Sequence, residues 1–269
     1  MKQKKSVVTE RRMRIKNLFA EQQILQVSQI SELLGISQLT ARRDFDALAQ
    51  EGFIERIHGG GLLRTDHPDN FSKPQHFKDK HQIGQRQKQE IAAYVASLVH
   101  DGDTVFLNAG STTLEVIRRI RQKSVVIVTN NALASTIMGE CSASLISTGG
   151  EYNPDNQSYT GLMAVTPLQR MNATTCILGV NGITCDEGIT TSNYMETMIN
   201  EEMLKRCRSS HIIAADGSKV GRIFKFSSSP IASVDILVTD SSADPQELKK
   251  IQAMGVKVIL ADKQIFRNP

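Results

Sequence analysis

The feature that most constrains the fold is an alternation of short apolar runs and amphipathic helical patterns in residues 81–269. The apolar runs have the length of strands and lie at residues 104–108, 125–129, 144–147, 176–180, 211–215, 235–239 and 256–260. Helical patterns lie at residues 113–122, 131–139, 162–171, 194–207 and 245–254, and one more carries Ile91, Val95, Leu98 and Val99. This alternation is typical of a parallel sheet with helices on both faces. The sequence therefore predicts an α/β domain that binds ligands beyond the carboxyl ends of its strands.

One strand end carries the pattern of an anion-binding turn. The run Thr104–Leu107 leads through a glycine and three hydroxyl residues into a helical pattern. The first amides of a helix have no partner within the helix, and the helix dipole favours negative charge there. Simple capping of the helix by serine or threonine is the alternative reading of this stretch alone. The candidate ligand-binding residues are Asn108, Gly110, Ser111, Thr112 and Thr113.

The other strand ends carry small polar residues, glycines and one charged pair. Because the carboxyl ends of parallel strands meet at one edge, we expect these residues to converge. Lys219 supplies positive charge, while amide, hydroxyl and carboxylate groups can bind sugar hydroxyls. Each residue alone also suits an ordinary turn, and this reading stays open for Asn130 and for Thr239–Asp240. The further candidates for binding a sugar phosphate are Thr129, Asn130, Gly149, Gly150, Asn181, Gly182, Thr191, Asp216 and Lys219.

The net charge of +4 is concentrated in the first quarter of the chain. Residues 1–65 hold eleven Lys/Arg and seven Asp/Glu, whereas residues 66–269 hold 21 of each. A basic module joined to a neutral body is typical of a nucleic-acid-binding domain with an attached second domain. A basic tail that serves only solubility is the alternative for the first few lysines.

The same quarter has the spacing of a helix-turn-helix. A helix is predicted from Glu10 to Ala20, and a second is capped by Ser28 with Ile30, Leu33 and Leu34 facing inward. Gly35 ends the second helix where a positive φ is needed, and Ser37 caps a third that buries Ala41, Phe45 and Leu48. The first turn of such a third helix enters the major groove of DNA. The candidate DNA-binding residues there are Ser37, Gln38, Thr40, Arg42 and Arg43, unless one arginine pairs with Asp44 or Asp46.

A β-hairpin wing follows the third helix. Phe53–Ile57 reads as a strand, residues 58–61 as a tight turn, and Leu62–Leu63 as the returning strand. We expect Arg56, His58 and Gly59 to lie against the DNA backbone. No Gly-Lys-Ser/Thr follows the glycines, so a nucleotide-binding P-loop is not supported.

These segments resemble the winged-helix signature of the DeoR family of bacterial sugar-metabolism regulators. The matching stretches are Leu33-Leu34-Gly35-Ile36-Ser37, Thr40-Ala41-Arg42-Arg43-Asp44-Phe45 and Arg56-Ile57-His58-Gly59-Gly60. Ala41 replaces the usual isoleucine and Gly61 a usual alanine, and neither change removes a DNA-contacting group. The resemblance implies a winged helix-turn-helix domain over residues 1–65, a hinge-like linker over residues 66–84 and an effector domain over residues 85–269.

The second part of the chain resembles the effector domain of the same family. Asn108-Ala109-Gly110-Ser111-Thr112-Thr113 resembles its D-x-G-S-T-T segment, and Gly188-Ile189-Thr190-Thr191 with Glu196 matches G-(V/I)-T-T followed by Glu. Asp216 to Arg222 resembles D-S-S-K-F-G-R, and Asn181 stands where the family has Asp. The resemblance implies a Rossmann-like domain similar to ribose-5-phosphate isomerase, with Glu196 among the effector-binding residues. Amides at 108 and 181 favour a more anionic effector, such as a sugar-acid phosphate.

Several classes of function are disfavoured by the sequence. It contains neither a run of roughly 18 apolar residues nor a signal-peptide pattern, so we expect a cytoplasmic protein, associated with the bacterial nucleoid when bound to DNA. The four cysteines have no metal-ligand spacing and are expected to be reduced thiols, mostly buried. No metal and no cofactor are expected.

The sequence thus predicts a transcriptional regulator, most simply a repressor of a carbohydrate-utilisation operon. Its expected partners are double-stranded operator DNA, a small phosphorylated sugar and further copies of itself in a homodimer or homotetramer. An isomerase-like enzyme is disfavoured because Asp216 and Glu196 are the only candidate carboxylates and no second acid–base group accompanies them. A DNA-binding protein without an effector is the other alternative.

Overall fold

The computed structural model describes residues 24–57, 59–63 and 84–264, together with residues 8, 11–12, 14–16, 18–19 and 22. The chain divides into two compact units, Met1–Lys73 and Pro74–Pro269. The predicted linker, residues 66–84, lies outside the described residues except for Gly84.

The first unit is a small helical domain with a three-stranded sheet. Its described residues between 11 and 19 are helical, as predicted, and are followed by β1 (Ile24–Gln26), α1 (Val27–Leu34), α2 (Gln38–Gln50), β2 (Ile54–Ile57) and β3 (Gly60–Leu63). The strands are antiparallel in the order β1-β3-β2. Ile15, Phe19, Phe45 and Leu48 are fully buried between the helices and the sheet. The predicted stripe of the third helix, with Ala41, is therefore confirmed.

Three details of this unit differ from the prediction. Helix α1 begins at Val27, because the Gln26 backbone N–H donates to the Gln29 side chain, so Ser28 is not the cap. Leu33 is 67% exposed, whereas Ile30 carries the inward face. Gly60 and Gly61, expected in the hairpin turn, belong to the returning strand, where they pair with Ile57 and Arg56. Gly35 has φ 61° and ends α1 as predicted.

The second unit is built on a parallel sheet of seven strands. The strands are β4 (Thr104–Leu107), β5 (Val126–Thr129), β6 (Ser144–Ser147), β9 (Ala173–Leu178), β12 (Cys207–Ala214), β14 (Ile236–Thr239) and β15 (Lys257–Leu260). Their order is β15-β14-β12-β9-β4-β5-β6, and every neighbouring pair is parallel. All seven predicted strands are thus confirmed, with ends that differ by up to four residues.

Helices cover both faces of this sheet. They are α3 (Gln85–Ser97), α4 (Ser111–Ile120), α5 (Ala134–Met138), α6 (Leu162–Leu168), α7 (Tyr194–Arg206), α8 (Pro245–Ala253) and the short α9 (Ala261–Gln264). Along β4, Phe106 belongs to the hydrophobic core on one face, and Val105 and Leu107 to the core on the other. This alternation explains why the strands read as continuous apolar runs. Among the described helices, none is long and apolar enough to cross a membrane.

Five short strands were not predicted. The hairpin β7 (Glu151–Asn153) and β8 (Ser158–Thr160) follows β6. A second antiparallel sheet has the order β10 (Gly182–Thr184), β11 (Gly188–Thr191) and β13 (Phe226–Ser229). The segment Gly188–Thr191, expected as a strand-end loop, is therefore itself a strand.

The four cysteines are free thiols, and Cys176 and Cys207 are buried. Burial raises the pKa of the Cys176 thiol well above its usual value, which keeps it protonated and unreactive.

Candidate functional site

A cleft opens at the carboxyl edge of the large sheet, at the ends of β4, β9 and β12. It encloses about 570 Å³, including the part open to solvent. The second sheet contributes β11, and the start of α7 contributes Glu196. The lining residues are Lys88, Asn108, Ala109, Gly110, Ser111, Thr112, Gly179, Val180, Asn181, Thr190, Thr191, Glu196, Asn200, Ala214, Ala215, Asp216 and Lys219.

The turn between β4 and α4 forms one wall of the cleft. Helix α4 begins at Ser111, and the preceding residue, Gly110, has no side chain with which to cap it. Gly110, Ser111 and Thr112, at the start of α4, all belong to the lining of the cleft. Such a helix start suits an anion, because its amides point outward and the dipole favours negative charge.

Asn108 is committed to the protein rather than to the cleft. Its Nδ2 donates to the Gly179 carbonyl at 2.8 Å and to Asn200 Oδ1 at 2.9 Å, and its Oδ1 accepts from the Gly179 N–H at 2.8 Å. The side chain thereby clamps the end of β4 to the segment after β9. An aspartate could accept from Gly179 but could not donate to either acceptor.

Asn130 and Thr113 support the turn from behind. The Ala109 N–H donates to Asn130 Oδ1 at 2.7 Å, and Asn130 Nδ2 donates to the Tyr159 carbonyl at 2.9 Å. The Thr113 hydroxyl donates to the Asn108 carbonyl at 2.8 Å. Both side chains are almost fully buried, so they position the turn and do not line the cleft.

Four other candidates also lie outside the cleft lining: Thr129, Gly149, Gly150 and Gly182. A Cβ at Gly182 would stand 2.3 Å from the Arg222 carbonyl oxygen, and one at Gly150 would stand 2.6 Å from that of Thr160. These two glycines are explained by close packing of the backbone. The structure thus brings together nine of the candidates, namely Asn108, Gly110, Ser111, Thr112, Asn181, Thr191, Glu196, Asp216 and Lys219.

The lining of the cleft contains two carboxylates, Glu196 and Asp216. Glu196 accepts from the Thr191 hydroxyl and from Asn156 Nδ2, each at 2.6 Å. Asp216 caps the 3-10 turn Gly217–Lys219 by accepting from the Ser218 N–H at 3.1 Å. This turn places Lys219 at the cleft. Asp240, left open as turn chemistry, accepts the Gly217 N–H at 2.8 Å and supports the same turn.

Two polar side chains of the lining, Lys88 and Asn200, were missed by sequence analysis, and Thr190 was named only as part of the segment Gly188–Thr191. Asn200 is buried on α7 and donates to Ser228 Oγ at 3.3 Å while accepting from Asn108. Lys88 offered a signal, because it stands three and seven residues before Ile91 and Val95 on the buried face of α3. In the part of the chain that is described, histidine, cysteine and carboxylate groups form no cluster suited to a metal ion.

Helix α2 presents a polar surface in the first unit. Ser37 caps it by accepting from the Thr40 N–H at 3.2 Å, and the two hydroxyls lie 2.9 Å apart. Gln38, Arg42 and Arg43 are exposed. This is the face expected to enter the major groove.

The aspartates that were alternative partners of Arg42 and Arg43 are engaged elsewhere. Asp44 is buried and accepts from Arg11 Nε at 2.6 Å and from Arg12 Nε at 3.1 Å. This carboxylate raises the pKa of Arg11 above its usual value. Asp46 pairs with Arg56 Nε at 3.1 Å, which holds the wing residue Arg56 against α2.

The tip of the wing is described only in part. Arg56 also donates to the Gly60 carbonyl at 2.9 Å, so its guanidinium lies back along the hairpin. Gly59 has φ 74°, which a two-residue hairpin turn favours. His58 lies outside the described residues.

Comparisons with family models match both units. Residues 11–66 match the DeoR-like helix-turn-helix domain, and residues 84–241 match the DeoR C terminal sensor domain.

Several curated proteins are similar to the chain over nearly its whole length. Transcriptional repressor AccR of Agrobacterium fabrum is 31% identical, over 90% of this chain and 95% of the relative. HTH-type transcriptional regulator GlpR of Haloferax volcanii is 29% identical, over 93% and 96%. The putative aga operon transcriptional repressor of Escherichia coli O157:H7 is 29% identical, over 94% and 93%.

Solved structures resemble the chain only in part. Ribose 5-phosphate isomerase A of Methanocaldococcus jannaschii matches 51% of this chain and 54% of its own, with 17% identity and a TM-score of 0.37. The translation initiation factor eIF-2B of Pyrococcus horikoshii matches 52% and 50%, with 19% identity and a TM-score of 0.37.

Proposed function

Because this chain belongs to the DeoR family of transcriptional regulators, we propose that it represses a carbohydrate-utilisation operon and that a phosphorylated sugar or sugar acid modulates its binding to operator DNA. The family models place a helix-turn-helix domain and a sensor domain on one chain. Its near full-length curated relatives are transcriptional regulators rather than enzymes.

The observation that carries the proposal is the composition of the cleft. The start of α4 offers amides and the Ser111 and Thr112 hydroxyls on one wall, while Lys88 and Lys219 supply positive charge. Amide and hydroxyl side chains complete the lining and suit a polyhydroxylated molecule. A sugar phosphate would use these groups together if its phosphate bound at the start of α4 and its hydroxyls lay toward Asn181 and Thr191.

The charge of the cleft supports a strongly anionic effector. The lining contains two lysines, Lys88 and Lys219, and two carboxylates, Glu196 and Asp216. The family pattern has aspartates at the positions of Asn108 and Asn181, so this cleft carries up to two negative charges fewer. Fewer carboxylates in the cleft repel an anionic ligand less, which favours an effector that carries a second acid group besides its phosphate.

The proposed mechanism is linkage between two sites. A ligand shifts DNA binding only by the difference between its affinities for the two states of the protein. Ser37, Gln38, Thr40, Arg42 and Arg43 would contact bases or phosphates, with Arg56, His58 and Gly59 of the wing against the backbone. The proposal includes a homodimer or homotetramer in the bacterial cytoplasm and the domain bounds 1–65, 66–84 and 85–269.

The test is operator binding to the gene's own upstream region, measured by fluorescence anisotropy with a panel of phosphorylated sugars and sugar acids. We expect at least one compound to change the affinity. A protein that binds the region with unchanged affinity under the whole panel would instead be a DNA-binding protein without an effector.

Two classes of variant separate the sites. We expect Arg43→Ala to abolish operator binding while phosphate still raises the melting temperature, and Arg118→Ala, which removes an exposed charge of the sensor domain, to bind normally. Ser111→Ala and Lys219→Ala should bind operator but lose the response. The assignment of α2 to DNA fails if Arg43→Ala and Arg118→Ala bind equally well.

A further inference from the structure

Lys88 is a buried cation in the wall of the cleft. Only 5% of the residue is exposed, and it lines the same space as Gly110, Ser111 and Thr112. It comes from α3, a helix that carries none of the residues expected at the site.

The position of Lys88 in its helix is unusual for a lysine. The buried residues of α3 are Lys88, Ile91, Ala92, Val95 and Ala96, so Lys88 takes the first place in an apolar stripe. Arg86, two residues earlier, has a side chain that is 83% exposed. Burying an ammonium group costs free energy unless the site gives it a partner or a use. Lys88 also lines the cleft, so its burial does not keep it from a ligand bound there.

The direction of α3 accounts for the reach of Lys88. The helix leads directly into β4 and packs on α4, β12 and β14. A helix that precedes a parallel strand runs against it, so its first turn lies at the carboxyl edge of the sheet. The lysine thus stands beside the start of α4, where an anion is expected.

We propose that Lys88 binds the anionic group of the effector and couples the occupied cleft to the first turn of α3. This proposal rests on the function proposed above. Residues 74–83 begin the second unit and lie outside the described residues, so α3 is the first described element of that unit. An anion held between α4 and Lys88 fixes the first turn of α3, the end of the helix that lies nearer in sequence to the first unit.

The test compares Lys88→Gln with Arg86→Gln, which removes an equal charge from the exposed face of the same helical turn. Inorganic phosphate is titrated against sodium chloride at constant ionic strength, and its affinity is measured from the shift in melting temperature. Hydrogen exchange of residues 85–92 and 111–116 is followed at equal occupancy of phosphate. Lys88→Arg tests rescue by charge, and Lys88→Met replaces Lys88→Gln if the latter does not fold.

In the wild type and in Arg86→Gln we expect phosphate to slow exchange in both segments. Lys88→Gln should bind phosphate about tenfold more weakly, as for loss of one charge-assisted hydrogen bond. It should also lose the protection of residues 85–92 while keeping that of residues 111–116, and Lys88→Arg should recover part of both.

If Lys88→Gln matches Arg86→Gln in its affinity for phosphate and in its protection from hydrogen exchange, the role of Lys88 is overturned while the proposed function stands. If Lys88→Gln binds phosphate more weakly but phosphate still fully protects residues 85–92 from hydrogen exchange, the coupling to α3 is overturned. A wild type that responds neither to phosphate nor to any phosphorylated sugar would overturn the proposed function as well.

Discussion

At the scale of single residues, two aspartates of α2 illustrate how burial decides the weight of an ion pair. Asp44 is almost fully buried and holds two arginine side chains from the preceding helical segment, Arg11 and Arg12. Asp46 is 57% exposed and pairs with Arg56. Removing a buried carboxylate leaves its charged partners without their counter-charge. This costs far more free energy than removing one member of an exposed ion pair, which water screens.

We therefore expect Asp44→Ala to destabilise the DNA-binding unit by about 3 kcal/mol, because Arg11 and Arg12 would lose their shared buried carboxylate. Among the described residues, Arg12 would keep only Glu51, at 3.9 Å. The matched control is Asp46→Ala, two residues further along the same helix, which should lower the free energy of unfolding by less than about 1 kcal/mol. Urea unfolding followed by circular dichroism measures both changes. Equal losses in the two variants would show that Asp44 does not anchor α2.

At the scale of elements, the turn between β4 and α4 is held by side chains that follow other strands. Asn130 follows β5 and accepts a hydrogen bond from the Ala109 N–H. Asn108 follows β4 and accepts one from the N–H of Gly179, which follows β9. Neither side chain needs to touch a ligand to affect binding. The turn has its shape because three neighbouring parallel strands end together.

Asn130→Ala should weaken phosphate binding several-fold without removing a ligand contact. It leaves the Ala109 N–H and the Tyr159 carbonyl without their partner, at a cost of about 1–3 kcal/mol. The matched control is Asn172→Ala, which removes an exposed asparagine bonded to Arg208. Calorimetric titration with inorganic phosphate and thermal unfolding are the measurements, and an unchanged phosphate affinity in Asn130→Ala would refute the positioning role.

At the scale of the whole molecule, the charge distribution distinguishes the DNA-binding part of the chain from the rest. The excess of +4 lies in residues 1–65, and the remainder is balanced. Operator affinity should therefore fall steeply with salt, because bound arginines and lysines displace counterions from DNA. Binding of a small anion in the cleft depends on a few local groups and should respond much less.

Linkage makes a quantitative prediction for the full chain. If an effector changes operator affinity by some factor, operator DNA must change effector affinity by the same factor. Couplings of this kind are typically about 5–150-fold. Effector titrations with and without saturating operator duplex, compared with operator titrations with and without effector, measure both factors. Unequal factors would contradict a two-state switch in one assembly.

Much of the fold was predictable because its signals are local. Continuous apolar runs marked the seven parallel strands, Gly35 marked a helix end with positive φ, and Ser37 marked a cap. The short strands escaped because their sequences are polar or glycine-containing, as in Ser158–Thr160 and Phe226–Ser229. Such segments become strands only when a partner strand is present, so their sequence alone carries little signal.

The sequence by itself determined the two-domain plan, the parallel sheet, the helix-turn-helix and the glycine-containing turn before α4, since each follows from periodicity, caps and short motifs. Only the tertiary structure decided which polar residues face the cleft. Asn108 became a clamp because Gly179 and Asn200, 71 and 92 residues away, lie within hydrogen-bonding distance of it. Lys88 entered the cleft because α3 runs back along the sheet. Both outcomes depend on contacts between distant parts of the chain, which no local pattern records.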